Sequence, residues 1–127
     1  MQQKHLFEYA VIRVVPRVER EEFLNIGVIL YCAKLKFLQA RYQLDEARLA
    51  AFSGNIDLSE LTEHVCSMER ICTGDETAGP IGKLDMASRF RWLTATRSTI
   101  VQTSKVHPGF CTSPAETLEK LYTELVL

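Results

Sequence analysis

Three apolar runs near the start of the chain decide the fold: FEYAVIRVV at residues 7–15, NIGVILYC at residues 25–32 and KFLQARY at residues 36–42. Each run is rich in β-branched and aromatic residues, which favour strands. A charged segment at 16–24 separates the first two runs, and a short connection at 33–35 separates the last two. This spacing predicts an antiparallel meander against which the later helices pack.

Helical patterns dominate the rest of the chain. We predict helices at 46–52, 58–73, 86–93 and 114–125, a fourth strand at 98–103, and loops at 75–84 and 104–112. The predicted helix N-caps are Asp45, Asp57, Asp85 and Ser113. The fold class is therefore α+β, a four-stranded, mostly antiparallel sheet (meander 7–42 plus strand 98–103) flanked by helices. The length of 127 residues indicates a single domain, 1–127.

Two residues of the meander call for special packing. Gly27 lies inside a strand pattern, which predicts a bulge or the close approach of another backbone, with Trp92 as a candidate cover. Arg13 lies in an otherwise apolar strand, and a buried guanidinium needs polar partners. One hypothesis is a structural ion pair between Arg13 and Glu22, which would hold the charged connection between the first two strands.

Composition and charge exclude several classes of protein. The chain is 46% hydrophobic and 24% charged with a net charge of −1, which is ordinary for a globular protein and gives no overall polyanion-binding signature. We see no signal peptide and no 18-residue apolar run, so we expect no membrane association. The four cysteines form no CxxC pair and no usual zinc spacing. We therefore expect reduced thiols, a cytoplasmic location and neither metal nor cofactor.

Basic charge gathers in one segment, residues 83–107, which carries five Lys or Arg against Asp85 alone. Hydroxyl side chains surround these cations, and Trp92 could offer a stacking face to a base. The segment either pairs with acidic parts of the fold or binds an anion or a nucleic acid. In the second case Arg13, Arg91, Arg97, Ser98 and His107 would form the site, with Arg13, Arg97 and His107 converging on the ligand.

Two segments carry a family resemblance: residues 9–32 and residues 88–126. They resemble the bacterial family known as domain of unknown function 3037. The matching features are Tyr9, Arg13, Pro16, Glu22-Phe23, Asn25-Ile26-Gly27, Arg91-Trp92-Leu93, Arg97-Ser98, His107-Pro108-Gly109 and the final Leu-rich helix. Residues 44–83 carry no motif of the family. The resemblance implies no activity; it implies at most a partner, a kinase-like protein encoded beside family members.

No catalytic constellation emerges from the sequence. It contains no nucleophile motif, no paired carboxylates at metal spacing and no Gly-rich phosphate loop, so we assign no catalytic residues. His5 and His64 are interpreted as surface or satisfied helix residues. We expect a non-catalytic interaction or regulatory subunit that binds a protein partner or forms a homodimer through a sheet edge or the last helix. The alternative is a phosphate-ligand or nucleic-acid binder with weak phosphoryl-transfer or hydrolytic chemistry.

Overall fold

The computed structural model describes residues 3–17, 20, 22–54, 56–97 and 99–127. Its sheet begins with the predicted meander: β1 (His5–Val14), β2 (Leu24–Cys32) and β3 (Phe37–Tyr42) pair antiparallel in chain order. The free edge of β1 is shared by β4 (Val101–Thr103) and β5 (His107–Cys111), both antiparallel to it. The predicted α+β class is confirmed, and the described residues form five strands instead of the four predicted.

Strand β5 corrects the predicted loop at 104–112. Pro108 lies opposite Glu8 in the ladder and Gly109 lies opposite Phe7. Proline and glycine are turn residues in most contexts, but proline is tolerated in an edge strand. Glycine at position 109 leaves room for the Phe7 ring, since an added Cβ would lie 2.5 Å from Cζ of that ring. Pro108 therefore reflects the edge position of this strand, and Gly109 reflects a close packing contact with Phe7.

Ser104 connects the two short edge strands. Its amide donates to the carbonyl of Val11 at 2.8 Å, and its Oγ accepts from the amide of Val11 at 2.9 Å. The side chain thus takes the place of a backbone acceptor where the ladder is interrupted. β4 and β5 form one interrupted edge along β1.

In the described part of the chain, four α-helices surround the sheet: α1 (Glu46–Phe52), α2 (Leu58–Thr73), α3 (Met86–Leu93) and α4 (Pro114–Leu125). The side chains of all four predicted N-caps, Asp45, Asp57, Asp85 and Ser113, accept the amide three residues on. The predicted loop at 75–84 contains two short 3-10 helices, Glu76–Ala78 and Pro80–Lys83. Gly74 ends α2 in the left-handed conformation with φ of 72°.

Each face of the sheet carries its own core cluster. Alternation along β1 sends Ala10, Ile12 and Val14 to one face, where they join buried residues of α2 and α3. Phe7 faces the other way and packs with Cys32, Leu118 and Tyr122, the last two on α4. The central strands are therefore covered on both sides, by α2 and α3 on one face and by α4 on the other.

Gly27 marks both features that its position predicts. The pairing of β1 with β2 shifts register after the Ile12–Gly27 pair, as in a bulge. An added Cβ at Gly27 would lie 2.7 Å from the carbonyl oxygen of Arg41 and 2.7 Å from the Cβ of Tyr42. The neighbours that cover this glycine belong to β3, and not to Trp92 as the sequence suggested.

Candidate functional site

Arg13 lies on the α4 side of the sheet, near the C-terminal end of β1, just before the connection to β2. Its guanidinium stands over the Phe23 ring, 3.9 Å from the ring centroid. Its Nε is buried without a hydrogen-bond partner among the described residues, and burial lowers the pKa of Arg13. Glu22 accepts from Nε of Arg20. The structure thus describes a different partner for each member of the predicted Arg13–Glu22 pair.

Arg97 follows α3 and folds back over its last turn. The guanidinium stacks on the Trp92 ring at 4.1 Å from the ring centroid. It donates to the carbonyl of Leu93 at 3.4 Å and also to the carbonyl of Trp92. A cation at a helix C-terminus satisfies free carbonyls and the helix dipole. One face of Trp92, predicted as a stacking platform for a base, is therefore occupied by this arginine.

His107 lies in β5, opposite Tyr9, and the two ring centroids are 5.4 Å apart. Arg13 pairs with Gln102 further along the same strand. The four-residue step from Tyr9 to Arg13 corresponds to roughly 13 Å along a strand. The structure therefore brings His107 and Arg13 to different parts of the sheet edge. Of the remaining predicted site residues, Arg91 is exposed on α3, and Ser98 lies outside the described residues.

The basic segment is held by helix carbonyls. Arg89 donates through Nη1 to the carbonyls of Ile71 and Cys72 at 2.9 and 2.8 Å, and through Nε to that of Leu84 at 3.0 Å. The ion pairs among the described residues, Arg20–Glu22 and Arg41–Glu119, include no member of residues 83–107. Arg89 and Arg97 thus bind carbonyls at helix ends. The charge pattern of the sequence indicated acidic side chains or an anionic ligand as partners and did not reveal this third possibility.

A small cavity of about 100 Å³ lies between α2, α3 and β4. Its polar lining consists of His64, Arg97, Gln102 and Thr103, and Trp92 forms part of its wall. Burial, reinforced by the charge of Arg97, lowers the pKa of His64, and Glu60 acts in the opposite direction. The sequence analysis interpreted His64 as a surface or satisfied helix residue, and the structure places it in the wall of this cavity. The available signal was weak: a histidine on a helix next to a buried stripe.

An apolar surface lies at the opposite end of the sheet. Leu6 and Phe110 are cross-strand partners on β1 and β5 and are 50% and 70% exposed. Partners in an antiparallel pair share a face, with Cβ atoms about 5 Å apart. On this face α2 and α3 bury Ala10, Ile12 and Val14 completely but leave Leu6 uncovered. We call Leu6 and Phe110 the apolar edge pair.

A family model described as "Protein of unknown function (DUF3037)" matches residues 9–126, which is nearly the whole chain. The chain belongs to this family. Neither the curated proteins nor the solved structures include a match. The matched range begins and ends at the same residues as the predicted resemblance, Tyr9 and Val126. The description of the family assigns no activity.

Two further observations concern the described part of the chain. None of its helices combines the length and apolar character needed to cross a membrane. No three His, Cys, Asp or Glu side chains within it stand close enough together to hold a metal ion.

Proposed function

We propose that this protein is a non-catalytic interaction or regulatory subunit that binds another protein through the apolar edge pair. The observation that carries the proposal is the 70% exposure of Phe110 on the edge strand β5, next to the half-exposed Leu6 of β1. Large aromatic side chains in such positions commonly anchor interfaces. The same side chain costs solubility when no partner covers it.

The edge strand favours packing of side chains over addition of a strand. Pro108 has no amide hydrogen to donate, and proline in an edge strand discourages pairing with another strand. A partner would therefore place apolar side chains against Phe110 and Leu6. The candidate partners are a second copy of this chain and a kinase-like protein of the kind the family resemblance implies.

The experiment compares Phe110→Ser and Leu6→Ser with Leu35→Ser. Leu35 is a suitable control because it is 42% exposed but lies in the connection between β2 and β3. Light scattering over a concentration series tests self-association, and co-purification with a co-expressed kinase-like neighbour tests the second partner. We expect Phe110→Ser to weaken the association roughly 10-fold to 100-fold, since a buried phenylalanine contributes about 2 kcal/mol, and Leu35→Ser to have no effect.

Two results would contradict the proposal. One is a protein that stays monomeric at high concentration and captures no partner. The other is an association that Phe110→Ser and Leu35→Ser weaken equally, because the apolar edge pair would then have no special role.

The alternative predicted from the sequence, a phosphate-ligand or nucleic-acid binder with hydrolytic chemistry, needs Arg13, Arg97 and His107 at one site. The described geometry provides no shared cavity for these three side chains, and His107 packs on Tyr9. Of these three residues only Arg97 lines the cavity between α2, α3 and β4, and this supports the anion-binding part of that alternative.

A further inference from the structure

We propose that the cavity between α2, α3 and β4 is a binding site for a small oxyanion, a sulfate, phosphate or carboxylate group, held by Arg97 with His64 opposite. This inference is independent of the proposed interaction through the apolar edge pair. It uses a different residue set from the one predicted in the sequence, since Arg13 and His107 are absent from the cavity and His64 is added.

Arg97 retains donors for a ligand. A guanidinium carries five N–H donors in one plane, and the described bonds use one to the carbonyl of Leu93 and one to that of Trp92. Stacking on Trp92 fixes the plane of the guanidinium. The side chain is thus preorganised, so little conformational entropy would be lost on binding an anion.

The lining of the cavity includes one arginine and no carboxylate among the described residues. Arg97 belongs to none of the ion pairs found among those residues. His64 is half-buried on the α2 wall, and Gln102 and Thr103 supply further polar groups from β4. Arginine with imidazole, amide and hydroxyl groups is a donor set suited to an oxyanion.

The size of the cavity restricts the ligand. The cavity volume is about 100 Å³, which accommodates a tetrahedral oxyanion or a carboxylate group. The site therefore predicts a free small anion or the terminal anionic group of a ligand that projects out of the cavity.

Protonation of His64 links binding to pH. Burial has the largest effect on the pKa of His64 and lowers it. Two charged groups also act on this pKa: Arg97 lowers it further, and Glu60, on the same helix, raises it. The wall residues from α3 and β4, Trp92, Leu93, Val101, Gln102 and Thr103, are uncharged. An anion between Arg97 and His64 would favour the imidazolium, so affinity should rise as pH falls through the pKa of His64.

Trp92 supplies the measurement, because it is the single tryptophan of the chain and lies under Arg97. We would titrate the full chain with sulfate, which does not change charge between about pH 5 and 8, and follow Trp92 fluorescence against sodium chloride of equal ionic strength. A parallel titration with acetate separates tetrahedral from planar anions. We expect a saturable change with at least one of the two, stronger at pH 5.5 than at pH 8.

The variants are Arg97→Gln and His64→Gln, with Arg70→Gln as the matched control. Arg70 is exposed on α2, the helix of His64, and does not line the cavity. We expect Arg97→Gln to weaken binding roughly 10-fold to 100-fold, since it removes a charge-assisted hydrogen bond. His64→Gln should remove the pH dependence, and Arg70→Gln should bind as the parent does.

Circular dichroism shows whether Arg97→Gln is folded. If it is not, Thr103→Val tests the same site by removing one hydroxyl without changing volume. A fluorescence change that sodium chloride reproduces, or one that all the folded variants share, would overturn the proposal. The absence of any saturable change with either anion would overturn it equally.

Discussion

At the scale of single residues, the sheet contains two glycines at which an added Cβ would lie closer than 3 Å to a neighbouring atom, Gly27 and Gly109. The space at Gly27 is filled by backbone, the carbonyl of Arg41, and by the Cβ of Tyr42. At Gly109 it is filled by the Phe7 ring, which can move more easily than a main chain. Close packing of this kind makes the cost of one extra methyl depend on what surrounds it.

We predict that Gly27→Ala lowers the free energy of unfolding by about 1–3 kcal/mol, because the new methyl would overlap the backbone of β3. Chemical denaturation measures the change. Gly54→Ala is the control, since an added Cβ there meets nothing within 4 Å. That substitution should leave stability unchanged or raise it by about 0.4–1 kcal/mol through the unfolded state. Equal stability of the two variants would show that β3 can move away from Gly27.

At the scale of elements, one arginine joins the end of α2 to the start of α3. Arg89, on α3, binds the carbonyls of Ile71 and Cys72 where α2 ends, and that of Leu84 just before α3 begins. The last carbonyls of a helix have no partner within the helix. An added Cβ at Gly74 would lie 3.2 Å from Nη1 of Arg89, so the glycine cap and the arginine occupy adjoining space.

We predict that Arg89→Met lowers the free energy of unfolding by about 2–3 kcal/mol, because hydrogen bonds from a charged donor to the carbonyls of Ile71, Cys72 and Leu84 are lost. The carbonyl of Ile71 keeps a second donor, the amide of Gly74. Arg91→Met, on the same helix but exposed, should change it by less than about 0.5 kcal/mol. Thermal and urea unfolding of both variants provide the comparison. If the two substitutions cost the same, the carbonyl contacts of Arg89 contribute nothing specific.

At the scale of the whole molecule, two core clusters share one sheet. Ile12 and Ile29 belong to the cluster beneath α2 and α3, while Val28 and Leu30 of the same central strands belong to the cluster beneath α4. Neither layer can separate without exposing the apolar face of strands that the other layer needs. Such sharing favours a single cooperative transition.

We predict that Leu118→Ala, in the α4 layer, shifts the unfolding of both layers together. Leu118 is 4% exposed, and truncation of a buried leucine costs about 2–5 kcal/mol. Trp92 fluorescence reports on the α3 layer and far-ultraviolet circular dichroism on the whole chain. The two urea curves should coincide for the parent and the variant. A variant whose Trp92 transition keeps the parent midpoint while the dichroism shifts would show that the layers unfold separately.

The sequence by itself determined the elements whose signals are local. The meander follows from the β-branched and aromatic runs, and the four caps, Asp45, Asp57, Asp85 and Ser113, accept the expected amides. The bulge and the close approach at Gly27 follow from its position, because a glycine inside a strand pattern usually marks one of these two features. The family, too, is recognisable from two short segments of sequence.

Only the tertiary structure decided what depends on contacts between distant parts of the chain. Pro108 and Gly109 indicate a turn until the edge of β1 and the Phe7 ring are in place, so β5 was missed. The sequence does not predict the partners of Arg89 and Arg97, because these partners are backbone carbonyls. A backbone carbonyl carries no net charge, so the charge pattern of the sequence does not reveal it. His64 and Arg97 are 33 positions apart in the sequence but line one cavity, and the exposure of Phe110 depends on where α2 and α3 stop covering the sheet. The preference of a segment for helix or strand depends on neighbouring residues in the sequence, whereas a cavity or an uncovered surface exists only once the layers have packed.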